Sequence, residues 1–116
     1  MAYIRKYCGP CLLEVRNGQI REYCGKALYE IKGNLLREYC GKALFEIESG
    51  GVRKYCGPMV FTFDGKYLRE YCSKNIIEVR GDEIREYCGK ALYTIEGSLD
   101  RNELLAVLTL LFGPRF

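Results

Sequence analysis

Two cysteines frame a four-residue motif, Cys8-Gly9-Pro10-Cys11. A CXXC pair of this kind exchanges a disulfide when a helix N-terminus lowers the pKa of one thiol. Cysteine also recurs at positions 8, 24, 40, 56, 72 and 88, and thiolates are good ligands for zinc and copper. Both chemistries meet local objections. The pair sits in a turn rather than at a helix start, and Tyr55-Cys56-Gly57-Pro58 repeats the phrase with Met59 in place of the second cysteine, so Cys11 reads as a chance neighbour of a periodic residue. The periodic cysteines fall on every second strand of the meander that their spacing implies, about 10 Å apart, too far for a disulfide. They are expected to be small, buried, apolar thiols. The chain has no histidine, so no Ser/His/Asp set can form, and no phosphate-cradling GxxxxGK(S/T) loop is present. The expectation is a non-enzyme with no catalytic residue, no cofactor and no metal, with Cys8 and Cys11 the only redox pair to consider.

The elements that would carry these thiols follow from the spacing. Each cysteine sits in the phrase (I/L/V)-R-(E/K)-Y-C-(G/S), so the chain is six copies of a 16-residue unit, and units this small bury their apolar side only by stacking on neighbours. In the second copy, Gln19 to Cys24 and Ala27 to Lys32 read as strands around Gly25-Lys26, with Gly33-Asn34 after them. Such pairs suit two-residue hairpin loops, which predicts twelve antiparallel strands in a meander. Two-residue loops set Arg21 opposite Glu30, Arg37 opposite Glu46, Arg69 opposite Glu78 and Arg5 opposite Glu14, with Arg53 and Arg85 facing Thr62 and Thr94. They place Ile20, Glu22, Cys24, Ala27, Tyr29 and Ile31 on the core face. The same face then holds Lys6, Glu22, Glu38, Lys54, Glu70 and Glu86, and charges facing a core must be paired, turned to a barrel end or rotated outward by bulges.

After the last hairpin, Asp100 and Glu103 form a capping start, Gly113-Pro114 a stop, and eight of the nine residues from Leu104 to Phe112 are apolar. That predicts a helix over about 100–112, buried on every side and far short of the ~20 apolar residues that cross a bilayer. Twelve strands close a barrel of roughly 10 to 11 Å radius, wide enough for one helix. The expected fold is mainly β: hairpin repeats over about 3–98 forming a twelve-stranded antiparallel barrel around the C-terminal helix, all in one domain spanning 1–116. Eighteen basic and fifteen acidic residues leave a net charge of +3, which does not call for nucleic acid. The first residues lack the pattern of a secretory leader, and an odd cysteine count fits a reducing compartment, so a cytoplasmic location is expected.

This layout resembles the tubby-like barrels, the superfamily of the tubby C-terminal domain, phospholipid scramblases and LURP-one-related proteins. The resemblance rests on repeats such as Ile20-x-Glu22-x-x-Gly25-x-x-Leu28 and on the apolar tail Leu104 to Phe112. It implies a twelve-stranded barrel around a hydrophobic helix and, by analogy alone, a lipid or small-ligand role.

On the outer surface, Tyr7, Tyr23, Tyr39, Tyr55, Tyr71 and Tyr87 should face Leu12, Leu28, Leu44, Val60, Ile76 and Leu92, with Arg5, Arg21, Arg37, Arg53, Arg69 and Arg85 beside them. Such a band suits cross-strand shielding of the sheet, a protein interface, or an anionic ligand. The leading functional expectation is a structural or interaction module that self-associates or binds a protein partner. A small-ligand or lipid-binding barrel is the alternative, and thiol redox or metal binding the weaker one.

Overall fold

The computed structural model describes residues 2–48, 50–71 and 74–112. The chain forms β1 (Ala2–Lys6), β2 (Cys11–Arg16), β3 (Gln19–Glu22), β4 (Ala27–Lys32), β5 (Leu35–Glu38), β6 (Ala43–Glu48), β7 (Gly51–Lys54), β8 (Met59–Phe63), β9 (Tyr67–Glu70), β10 (Asn75–Arg80), β11 (Glu83–Glu86) and β12 (Ala91–Gly97), followed by helix α1 (Arg101–Phe112). Every strand pairs antiparallel with its sequence neighbours, and β1 closes on β12, so the expected twelve-stranded meander is a closed barrel. Closure leaves no open sheet edge.

One residue from each odd-numbered strand makes a dry ring. Ile4, Ile20, Leu36, Val52, Leu68 and Ile84 are each 0% exposed, and they share one apolar cluster with Val15, Phe45, Ile47, Phe61, Ile77 and the α1 residues Leu105, Ala106, Val107 and Leu108. Removing apolar side chains from water at about 25 cal/mol per Å² is what drives this assembly. The helix starts with a capping box: Glu103 N donates to Asp100 Oδ1 at 2.8 Å and Asp100 N donates to Glu103 Oε1 at 3.1 Å. Inside its third turn, Thr109 satisfies its buried hydroxyl by donating to the Leu105 carbonyl at 2.8 Å.

The loops at one rim differ from the expectation. The strand expected over Gln19 to Cys24 ends at Glu22, and Tyr23-Cys24-Gly25-Lys26 forms a four-residue loop. The register across it slips: Ile20 lies opposite Tyr29 but Arg21 lies opposite Ala27, leaving Leu28 without a partner in that pair. The same slip recurs across the other five loops of this rim. A bulge rotates the residues beyond it. The predicted partners Arg21–Glu30, Arg37–Glu46, Arg69–Glu78 and Arg5–Glu14 are therefore not opposite one another, nor are Arg53–Thr62 and Arg85–Thr94. Glutamates and threonines instead pair one repeat later across the other turns: Glu14 with Arg21, Glu30 with Arg37, Glu46 with Arg53, Thr62 with Arg69, Glu78 with Arg85 and Thr94 with Arg5. These pairs lie across a different set of turns, where two-residue loops keep the expected register; it fails only across the Tyr-Cys loops.

Candidate functional site: the rim of Tyr-Cys loops

Six loops crowd one end of the barrel, and their construction repeats. In the second one, Gly25 N donates to the Glu22 carbonyl at 2.9 Å and Glu22 N to the Lys26 carbonyl at 3.1 Å. Gly25 closes a turn whose third residue, Cys24, has φ +55°, the conformation that type II turns normally give to glycine. Close approach favours glycine at position 25, where a Cβ would lie 2.9 Å from the Glu22 Cβ, although the fifth copy carries Ser73 there. The arginine of the same repeat bridges the loop from outside. Arg21 donates to the Gly25 carbonyl at 3.0 Å, Arg37 to Gly41 at 2.6 and 3.2 Å, Arg53 to Gly57 at 2.9 and 3.0 Å, Arg85 to Gly89 at 2.9 Å and Arg5 to Gly9 at 3.2 and 3.3 Å. A guanidinium aimed at a loop carbonyl is a charge-assisted clamp. Arg21, Arg37 and Arg85 thus hold the loops instead of lining an open surface band, and Arg69 is exposed beside a loop that lies partly outside the described residues.

The tyrosines stitch one repeat to the next. Tyr23 N donates to the Leu12 carbonyl, Tyr39 to Leu28, Tyr55 to Leu44, Tyr71 to Val60, Tyr87 to Ile76 and, across the closure, Tyr7 to Leu92, all at 3.0–3.2 Å. Each tyrosine therefore faces the expected class of aliphatic residue, but in the preceding repeat. With the backbone so held, the six side chains remain 46–56% exposed. Two of them make edge-on contacts along the wall, Tyr23 with Tyr3 at 5.8 Å and Tyr87 with Tyr67 at 5.5 Å between ring centres.

The sequence predicts buried cysteines, and the structure corrects this. Cys8, Cys24, Cys40, Cys56 and Cys88 are exposed, each with φ between 54° and 56°; Cys72 lies outside the described residues. A left-handed conformation costs a non-glycine residue about 1 kcal/mol or more, and the four-residue loop carries the thiol out of the core alternation that would put it inside. Cys11, at the start of β2, is half-buried. Burial pushes its thiol above the ordinary value of 9.0, and Arg5 opposes that shift. Cys11 thus lacks the lowered pKa, and the pair the helix terminus, of a dithiol exchange site. Among the described residues, no three Cys, Asp or Glu side chains gather as a metal site. Charge on Cys24 first, and a hydrogen bond to it second, raise the Tyr23 phenol above 10.0.

Lys6, Glu22, Glu38, Lys54, Glu70 and Glu86 are all exposed. Each sits at the last strand position before its loop, opposite an inward residue of the previous repeat such as Leu13, Tyr29 or Phe45, so water at the barrel mouth solvates the charge that a core would have penalised. Two carboxylates are buried instead, Glu14 and Glu78. Glu14 is paired with Arg16 at 2.7 Å, and Glu78 with Arg80 at 3.2 Å and Lys66 at 3.8 Å. Sequence reasoning missed the arginine clamp, whose signal was an arginine four residues before every loop glycine, and the left-handed cysteine, which has no compositional signal.

No helix among the described residues is long and apolar enough to cross a membrane. The chain matches no protein-family model, no curated protein and no solved structure.

Proposed function

We propose that this protein is a non-enzymatic interaction module that uses its barrel as a rigid stand for a crown of six Tyr-Cys loops, with a second copy of the chain as the simplest partner. The observation that carries this reading is the exposure of all six rim tyrosines, each with its backbone N–H tied to the preceding repeat. Rigid aromatic side chains on a fixed backbone lose little entropy on docking, and tyrosine is enriched at interface centres. In this reading α1 fills the barrel lumen, supported by the full burial of Leu105, Ala106, Val107 and Leu108 in the strands' own cluster. A filled lumen leaves no interior volume for a ligand and favours the crown over an interior lipid site.

The test is sedimentation of wild type and of the Tyr39→Ser/Tyr71→Ser double variant over a wide concentration range. Assembly should weaken at least tenfold in the variant while the thermal midpoint stays within a few degrees of wild type. A wild-type protein that stays monomeric throughout, or an assembly indifferent to both tyrosines, would overturn the reading.

A further inference from the structure

The rim is not sixfold in charge. Read round the rim, the last residue of each loop and the strand-end residue of the following repeat form six successive pairs, Pro10/Glu22, Lys26/Glu38, Lys42/Lys54, Pro58/Glu70, Lys74/Glu86 and Lys90/Lys6. Two of these seams combine lysine with glutamate and two combine lysine with lysine, the latter three repeats apart. The two Lys-Lys seams differ in the residues beneath them. At Lys42/Lys54 the underlying Leu44 and Phe45 are 7% and 1% exposed. At Lys90/Lys6 their counterparts Leu92 and Tyr93 are half-buried and, with Tyr7 and Phe112, line an open recess of about 370 Å³ shared by both lysines.

The recess combines two features that point to one ligand chemistry. Its floor is apolar and aromatic, with the Tyr93 and Phe112 rings edge to face at 5.9 Å and 72°. Its lip carries two ammonium groups with no ion pair to any described carboxylate. Glu86, the acid nearest in sequence to Lys90, has its Oε1 only 3.1 Å from where a Gly89 Cβ would lie, turned over its own loop, and Glu96 is engaged by Arg5 at 3.1 Å. Exposed cations with no ion pair among the described residues, beside a half-buried aromatic floor, complement a small organic anion with a flat apolar body.

We propose that this seam is a binding site for a small aromatic carboxylate, the ring lying on Leu92, Tyr93 and Phe112 and the carboxylate held between Lys6 and Lys90. The site shares Tyr7 with the crown, but its charge lies in one seam, and the Tyr39→Ser/Tyr71→Ser variant that tests the assembly alters none of its lining. Lys6→Glu removes it without introducing a foreign residue, since Glu22, Glu38, Glu70 and Glu86 occupy the same position in four repeats.

Isothermal titration of the full chain with 4-phenylbutyrate tests this, with 4-phenylbutanol and inorganic phosphate as probes of body and charge alone. Saturable 4-phenylbutyrate binding should weaken at least tenfold in Lys6→Glu and stay unchanged in Lys54→Glu, which reverses the matching charge at the covered seam. Phenylbutanol and phosphate should each bind at least tenfold more weakly than 4-phenylbutyrate. The proposal is overturned by absent binding to wild type, by equal binding to wild type and Lys6→Glu, by equal loss in Lys54→Glu, or by phosphate matching the carboxylate. A lowered thermal midpoint in Lys6→Glu with binding intact would also overturn it, showing that the lysines serve the C-terminal end of α1.

Discussion

The two ends of this barrel join neighbouring strands by different means. At the end where α1 begins, the connections are short and varied. Asn17 and Gly18 both take positive φ, 52° and 76°, as a two-residue hairpin turn demands; Gly33 and Gly81 supply it elsewhere, and Asp64 folds its carboxylate onto the N–H groups of Lys66 and Tyr67 at 2.9 and 2.8 Å. This end also holds the helix, with Arg101 donating to the Glu48 carbonyl at 3.1 Å and Asn102 to the Gly33 carbonyl at 3.4 Å. At the opposite end the five fully described loops are longer, nearly identical, and give the left-handed position to cysteine. The chain therefore has residues that take positive φ without strain and uses them for that purpose at one end only. Variation accompanies the anchoring of one asymmetric helix; uniformity marks the end that is repeated outward.

That contrast can be broken most forcefully at the clamp. Arg37→Ala removes both hydrogen bonds to the Gly41 carbonyl and should lower stability by about 1 to 2 kcal/mol, measured by urea denaturation. A loss below a few tenths would mean that the uniform loops hold their shape without arginine and resemble the simple turns opposite. A subtler change asks whether the thiol is there for the backbone. Cys40→Asn keeps a residue tolerant of φ +55° and should raise stability by about 0.5 kcal/mol; a decrease would show that the thiol itself supports the loop. The smallest effect belongs to the varied end. Backbone N–H groups of Tyr67 and Lys66 hold the Asp64 carboxyl below 3.8. A depressed folded value adds stability that is complete above the unfolded pKa and disappears as pH falls through the folded one. Wild type should therefore melt slightly above Asp64→Asn at pH 7 and level with it at pH 2, by calorimetry.

Much of this architecture was legible because its signals are local and repeated. The 16-residue period set the number of hairpins, the Asn-Gly and Gly-Asn pairs marked the turns at one end, and Asp100 with Glu103 marked the helix start. The misreadings share one physical origin. Tyr23-Cys24 has strand-forming chemistry and extends an alternating run, so nothing in residue type says that the strand stops at Glu22. Ending it there shifts the register across that loop and adds a bulge at Leu28, which together part every arginine from its expected partner there and bring the described rim cysteines out to solvent. The recess between Lys6 and Lys90 was hidden for a different reason: it needs β1 beside β12 and the end of α1 beneath them, a meeting of the two ends of the chain that no local pattern records.

That meeting also bears on how the molecule assembles. Eleven of its strand pairings link neighbours in sequence, whereas the twelfth sets Ala2 against Gly97. Hairpins can zip from any point at little loop-closure cost, but the final pairing must gather nearly the whole chain, and its rate carries that entropy. Yet the Tyr7-to-Leu92 bond is of the same kind as the five internal ones. The ring has no chemically privileged first repeat, so a circular permutant opened at another seam keeps every pairing and changes only which one forms last.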